Sequence, residues 1–418
     1  MSDNTSIAAM NWLSGGNWDN GTTSASRTSW TAGDTATFGG APAGTQTVTL
    51  GGGISVGALT VGNGYRISIT GTTYNQLGNP SGDITLAAGA TLSADAAGNN
   101  AHNIGTLNLN GGTLTSINGP AGTANDGGFG NWVLNAAGGG VFVGGSSVST
   151  ISCSTIDVGT RTFTVNDATG TAATDLLVSG RIFKGALTKA GAGTMEITGA
   201  NTYTGATTIL AGGGTLLVSG ATGALGSGAI SVGAGGTLAF NTSGNRTLAA
   251  SISGAGAVTR QTTSGGRYYL SGNNSGFTGV FTQVSGGTGD LRFDSASAGS
   301  AAAQWVMNGP WMVFLLGTNT LHLGALSGSA NTWNDSTSGT TTLSVGALGL
   351  DTSFSGNIGQ GGGGLTALTK TGAGRLTLTG VSVYSGATLV EGGTLALGAG
   401  ARSTTPPASR SAAERCSM

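Results

Sequence analysis

A modest concentration of acidic residues lies in "STIDVGTRTFTVNDATGTAATDLL", which holds Asp157, Asp167 and Asp175. Two carboxylates roughly 5–9.5 Å apart can cleave a glycosidic bond, one as acid and one as base or nucleophile. Asp157 and Asp175 lie 18 residues apart, with Arg161 and Arg181 close by. On coils of about 20–25 residues, matching positions would bring such acids together. The same residue type also serves in turns, where the carboxylate bonds its own backbone, and this is the simpler expectation. Only three Glu occur, Glu196, Glu391 and Glu414.

The other reactive groups are scattered. His102 in "NNAHNIG" reads as a loop residue, and His322 in "NTLHLGAL" alternates with leucines and should face out. Two isolated histidines do not make an acid–base pair or a metal site. "GGTGDLRFD" resembles a calcium nonapeptide, but Asp290 comes one residue early and the unit is not repeated. Cys153 sits in the strand-like "VSTISCSTIDVG" and reads as a buried thiol; Cys416 lies in an unrelated tail. No catalytic, cofactor-binding or metal-ligating residue is therefore assigned, and no cofactor is expected. Trp12, Trp18 and Trp30 crowd the N-terminus, where large rings can cover the open end of a stacked core. Trp305, Trp311 and Trp333 lie around "QWVMNGPW", read as a strand pair turning at "NGP"; a sugar-stacking surface is the functional alternative.

The elements that must carry these groups are strands. In "TMEIT" (194–198) Met195 and Ile197 point one way; in "RLTLT" (375–379) Leu376 and Leu378 do the same. Period-two runs bounded by Gly and Asn are strands with one buried face. No segment shows a capped helical stripe; the nearest, "SASAGSAAAQWVMNGPW", is short. Gly makes up 82 of 418 residues and charged residues only 7%. Similar units such as "GDITLAAGATLSA" and "GAISVGAGGTLAF" recur at about 20 residues, the period of a solenoid whose coils share one core. The fold class expected is all-β, a right-handed parallel β-helix. At about 20–25 residues per coil it would have roughly 16–20 coils.

Two segments repeat almost word for word: "LTKAGAGTMEITGANTYTGATTILAGGGTLLV" (187–218) and "LTKTGAGRLTLTGVSVYSGATLVEGGTLAL" (368–397). In order they share Leu-Thr-Lys, Gly-x-Gly, Tyr-x-Gly-x-Thr and Gly-Thr-Leu. They resemble the autotransporter-associated β-strand repeat, also called the passenger-associated transport repeat. A degenerate copy spans Gly254–Phe293, with "YYLSGNNSGFTGVF" in its middle. The resemblance implies a β-helical passenger carried to a bacterial surface by a C-terminal barrel. Tyr203 and Tyr384 should mark equivalent corners. Lys189 and Lys370 should take equivalent solvent-facing positions that guard against misassociation.

The domain reading is an N-terminal capping region at 1–40, a β-helix at 41–400 with repeats at 185–220 and 366–400, and a disordered tail at 401–418. The core should include Leu187, Met195, Ile197, Leu216, Val218, Leu368, Leu376, Leu378, Leu395 and Leu397. A net charge of -1 leaves no basic footprint for nucleic acid. No apolar run is long enough for a membrane-spanning helix, and the N-terminus shows no signal peptide. The function expected is a non-enzymatic stalk, adhesin or envelope component, extracellular or on a bacterial surface. Its partners would be host-cell or matrix glycans or proteins, with self-association through the C-terminal edge. The rivals are a polysaccharide-active β-helix enzyme and a glycan- or ice-binding module built on rows of Thr.

Overall fold

The computed structural model describes residues 10–12, 35–39, 44–50, 54–55, 57–70, 77–95, 102–116, 132–134, 139–261, 265–284, 286, 289–399 and 401. Trp18, Trp30 and the tail beyond Ala401 fall outside these residues, as does the side chain of Trp12. The chain forms two compact units. The first comprises Met1–Thr208, Gly212–Leu217 and Thr222–Ser227; the second comprises Ile209–Ala211, Val218–Ala221 and Gly228–Met418.

In the first unit one sheet stacks Gln46–Leu50, Tyr65–Ile69, Thr91–Ala94, Thr113–Ser116, Ser149–Ile151, Thr174–Val178 and Thr194–Ile197, all parallel. Each strand pairs with one from the next coil. The inward column Val48, Ile67, Leu92, Leu114, Ile151, Val178 and Ile197 is buried throughout. A second parallel sheet faces the same core with Leu59, Ile84, Leu107, Val141 and Phe163 in register. Strands Met10–Trp12 and Thr35–Phe38 pair into these sheets with Gln46–Leu50 and Ala58–Val61. Such pairing of inward columns is what period-two sequences produce once each coil borrows its neighbour's apolar face.

The second unit repeats the scheme. Its main sheet runs from Thr237–Thr242 through Ala257–Arg260, Val280–Gln283, Ser300–Met307 and Thr320–Gly328, then through later coils to Thr394–Leu397. A five-stranded sheet stacks Arg246–Leu248, Tyr268–Leu270, Asp290–Phe293, Trp311–Phe314 and Asn331–Asn334. The chain is thus an all-β parallel β-solenoid. Among the described residues the helical structure is a three-residue 3-10 turn, Ala296–Ala298, in the stretch that looked most helix-like.

Among the described residues the solenoid has about 14 turns, fewer than the sequence period suggests. Coil length explains the difference. Paired residues are 19 apart from Val48 to Ile67 but 37 apart from Leu114 to Ile151. The glycine corners are as expected where contact is closest. Gly191 and Gly372 have φ of 77° and 68°, and a Cβ at either would overlap a carbonyl oxygen, of Val165 or Gly346.

Several expectations need correction. Ser300–Met307 and Trp311–Phe314 are not a strand pair: they belong to different sheets, and "NGP" is the corner between them. His102 is not in a loop but opens the strand His102–Asn110, fully buried. Leu187, Met195, Ile197, Leu216, Val218, Leu368, Leu376 and Leu378 are core residues as expected. Leu395 is only half-buried and Leu397 is 62% exposed. Their strand, Thr394–Leu397, is followed in its sheet by no other described strand, so its apolar side chains lack a covering coil.

Candidate functional site

The acids of the 155–176 stretch are not paired with each other. Asp157 ends Thr155–Asp157 in one sheet, whereas Asp175 lies in Thr174–Val178 of another. Both are buried. Asp157 Oδ1 accepts from the Gly159 amide at 2.9 Å, and Lys184 Nζ stands 3.9 Å from Oδ2. Asp175 accepts from the amides of Ala168 (2.9 Å), Thr169 (2.8 Å) and Thr194 (2.7 Å). Carboxylates occupied in this way fasten a turn and the start of the next coil's strand. Arg161 is likewise committed, donating to the carbonyls of Leu134 and Gly139.

The remaining reactive groups are also built into the framework. Burial pushes the Cys153 thiol up to about 12, which keeps it protonated. Burial pushes the His102 imidazole down to about 4, and its ring packs 5.1 Å from that of Trp132. His322 is exposed on the main sheet of the second unit, as its alternation with leucines implies. Asp290 in "GGTGDLRFD" is bonded by Arg292 at 3.0 Å. No described group of three or more His, Cys, Asp or Glu could hold a metal ion.

The lysines of the repeats overturn the solvent-facing expectation. Lys189 is fully buried and Lys370 is 1% exposed. Strand phase is the reason. In Leu187-Thr188-Lys189 the lysine shares the inward side with the leucine, and its register partner in the previous coil is Phe163. Lys370 is likewise in register with Val345 and Val390. At the end of its strand each ammonium meets a corner. Lys189 Nζ donates to the carbonyls of Ala190 (2.9 Å), Gly191 (2.8 Å) and Gly213 (2.8 Å). Lys370 Nζ donates to those of Thr371 (2.6 Å), Gly372 (3.0 Å) and Gly392 (3.2 Å). An ammonium has three donors, and here all three are used, tying the corner of one coil to that of the next.

Each lysine also has an acid from the preceding coil. Asp175 accepts from the Thr194 amide, and Asp351 accepts from the Arg375 amide at 2.7 Å, the equivalent position. Burial pushes the Lys189 ammonium down to about 8, with the Asp175 carboxylate pulling partly back. Burial lowers Lys370 in the same way, opposed by Asp351. The tyrosines complete the motif: Tyr203 and Tyr384 are both buried, each with its hydroxyl 2.7 Å from a threonine, Thr207 or Thr388.

The degenerate copy folds with the same corner. Arg260, 4% exposed, stands where the lysines stand and donates to Gly266 O (2.9 Å) and Gly289 O (3.3 Å). Asn201 accepts from the Ile182 amide (2.7 Å) and donates to Ala224 O (2.8 Å). Asn274 accepts from the Ile252 amide (2.8 Å) and donates to Ala298 O (2.9 Å). Phe277 is buried like the tyrosines. The sequence signal for these basic residues is their phase with Leu187, Val258 and Leu368, which outweighs their charge.

One outward row of the first unit is broken by an aromatic ring. Thr60, Thr85, Asn108, Phe142 and Thr164 share one register, and Phe142 interrupts it at 46% exposure. The three later tryptophans part company: Trp305 is buried and stacked on Phe281 at 5.1 Å, while Trp311 and Trp333 are 38% and 40% exposed.

The passenger-associated-transport-repeat family matches residues 187–218 and 368–397. The chain therefore carries two such repeats within a β-solenoid, which indicates a passenger-like β-helix. No curated protein and no solved structure matches the chain. No helix among the described residues is long and apolar enough to cross a membrane.

Proposed function

We propose that this chain, with its two passenger-associated transport repeats, is a non-enzymatic β-solenoid that stands on a bacterial surface or is released from it. Its role is that of a stalk, adhesin or envelope component. The observation that carries this reading is the shared coil: two matched repeats build the same lysine corner, aspartate tie and buried tyrosine. A motif spent wholly on joining coils supports a structural task. The acidic stretch singled out in the sequence supports it too, since Asp157 and Asp175 are occupied by backbone amides.

Surface display tests the proposal. The chain is placed between an export signal and an outer-membrane β-barrel translocator in a Gram-negative host. Protease added to intact cells should then remove it. Retention inside the cell, with the translocator itself correctly assembled, would count against a passenger. In parallel, the purified protein should release no reducing ends from pectin or alginate. Release that disappears in Asp157→Asn or Asp175→Asn would overturn the non-enzymatic reading.

A further inference from the structure

We infer that the outer face of the five-stranded sheet in the second unit binds a neutral saccharide. Successive outward residues on parallel strands form a grid. One row across the strands is Asp290, Trp311 and Asn331; the next is Tyr269, Arg292, Val313 and Trp333. The two exposed indoles stand edge to face with centroids 6.0 Å apart. Trp333 is held in place by close packing against Gly361, where a Cβ would collide with the indole.

Polar groups are interleaved with these rings. Arg292, 8% exposed, donates from Nη2 to Asp290 Oδ2 at 3.0 Å and from Nη1 to Asp335 Oδ2 at 2.9 Å. Its guanidinium also lies over the Tyr269 ring, 5.8 Å from the centroid. One oxygen of each carboxylate is thereby fixed, while the Oδ1 atoms are engaged by no described residue. Asp335 is 41% exposed.

This combination has a chemical meaning. A pyranose offers one C–H-bearing face and a rim of hydroxyls. The negative face of an indole attracts the former, and ordered carboxylate oxygens accept from the latter. Arg292 and the exposed Arg267, whose Nε stands 3.9 Å from Asp290 Oδ2, are matched by the carboxylates of Asp290 and Asp335, so no net positive field favours an acidic polymer. Preordered groups lose little freedom on binding. The inference concerns side chains of one unit and does not depend on how the chain is exported.

The test uses the purified full chain and defined probes: cellohexaose, laminarihexaose, xylohexaose, mannohexaose and chitohexaose, with polygalacturonate as the acidic counterpart. Binding is read by calorimetry and by tryptophan fluorescence. At least one neutral hexaose should bind, with little dependence on salt. Trp311→Ala and Trp333→Ala should each weaken it at least about tenfold, as expected of aromatic anchors. Asp335→Asn should weaken it by at least about threefold, and His322→Ala, exposed on another sheet, should leave it unchanged. If a tryptophan variant fails to fold, Trp311→Phe and Asp335→Asn carry the comparison. No binding of any neutral hexaose at millimolar concentration would overturn the inference. So would binding indifferent to both tryptophans, or a salt-sensitive preference for polygalacturonate.

Discussion

The coil at 187–218 and the coil at 368–397 share a sequence and differ in what lies beyond them. Both bury their lysine, tyrosine and first leucines. They part at the last strand. Leu216 and Val218 are buried, and Gly220 accepts from the Ser243 amide of a following coil at 3.3 Å. Leu395 is half-buried and Leu397 exposed, with no described strand beyond. The repeat thus specifies its own corners, while burial of its closing strand is conferred by the next coil, as nearest-neighbour stability in a solenoid requires.

Hydrogen exchange should show the largest difference. Opening free energies range from near zero at frayed ends to the global value in a core, about 5–15 kcal/mol for ordinary domains. Amides of Thr215–Val218 should exchange near the slow limit of the protein. Those of Thr394–Leu397 should exchange orders of magnitude faster. Equal protection in a monodisperse monomer would mean that the last strand is covered, and the contrast would fail.

Truncation gives the next effect. Leu216→Ala should cost about 2–5 kcal/mol, the transfer term plus a cavity. Leu397→Ala should stay within about 0.5 kcal/mol, as surface changes do. Urea unfolding of the two variants checks this; similar losses would show that Leu397 is buried in solution.

How far the sequence reveals all this depends on whether the cause is local. Alternation alone places Leu376 and Leu378 inward and His322 outward, because strand phase is a property of neighbouring residues. Charge alone misplaces Lys189 and Lys370; phase with Leu187 and Leu368 places them correctly, and three carbonyls supply what water would have. His102 is hidden by its Asn and Gly neighbours, since the ring it packs on, Trp132, is supplied by another coil. Nothing near "NGP" distinguishes a hairpin from a corner between sheets, because the partners of Trp305 and Trp311 lie a full coil away. The carboxylates are similar: Asp175 is explained by Thr194, on the following strand.

Alkaline titration sharpens the comparison at the lysines. The Lys189 ammonium titrates near 8 in the folded chain and near 10.4 when unfolded. Between these values the unfolded state binds more protons, so stability rises with pH. From pH 8 to pH 9, below the tyrosine range near 10, the gain should be about 1 kcal/mol. Most of it should be lost in Lys189→Met. Lys370→Met should also reduce the gain, since burial lowers that ammonium too. A flat profile in the parent protein would show that the carbonyl cage fully offsets burial.

The smallest effect tests whether the two corners remain alike where their surroundings differ. Tyr203 and Tyr384 make the same 2.7 Å hydroxyl contact, to Thr207 and Thr388. Tyr203 is fully buried and Tyr384 is 5% exposed. Removing one hydroxyl forfeits a hydrogen bond worth about 0.5–1.5 kcal/mol and leaves a threonine oxygen to be satisfied elsewhere. In Tyr203→Phe that threonine is fully buried, so the loss should reach about 1 kcal/mol. In Tyr384→Phe, Thr388 is only half-buried and water can replace the phenol, so the loss should be at most half as large. The natural Phe277 at the equivalent place shows that the ring, not the hydroxyl, is what the corner requires. Thermal unfolding of both variants decides. A larger loss at Tyr384 than at Tyr203 would mean that the terminal corner depends on its side-chain hydrogen bond because it lacks a covering coil, and coil context would then govern the corners as well as the closing strands.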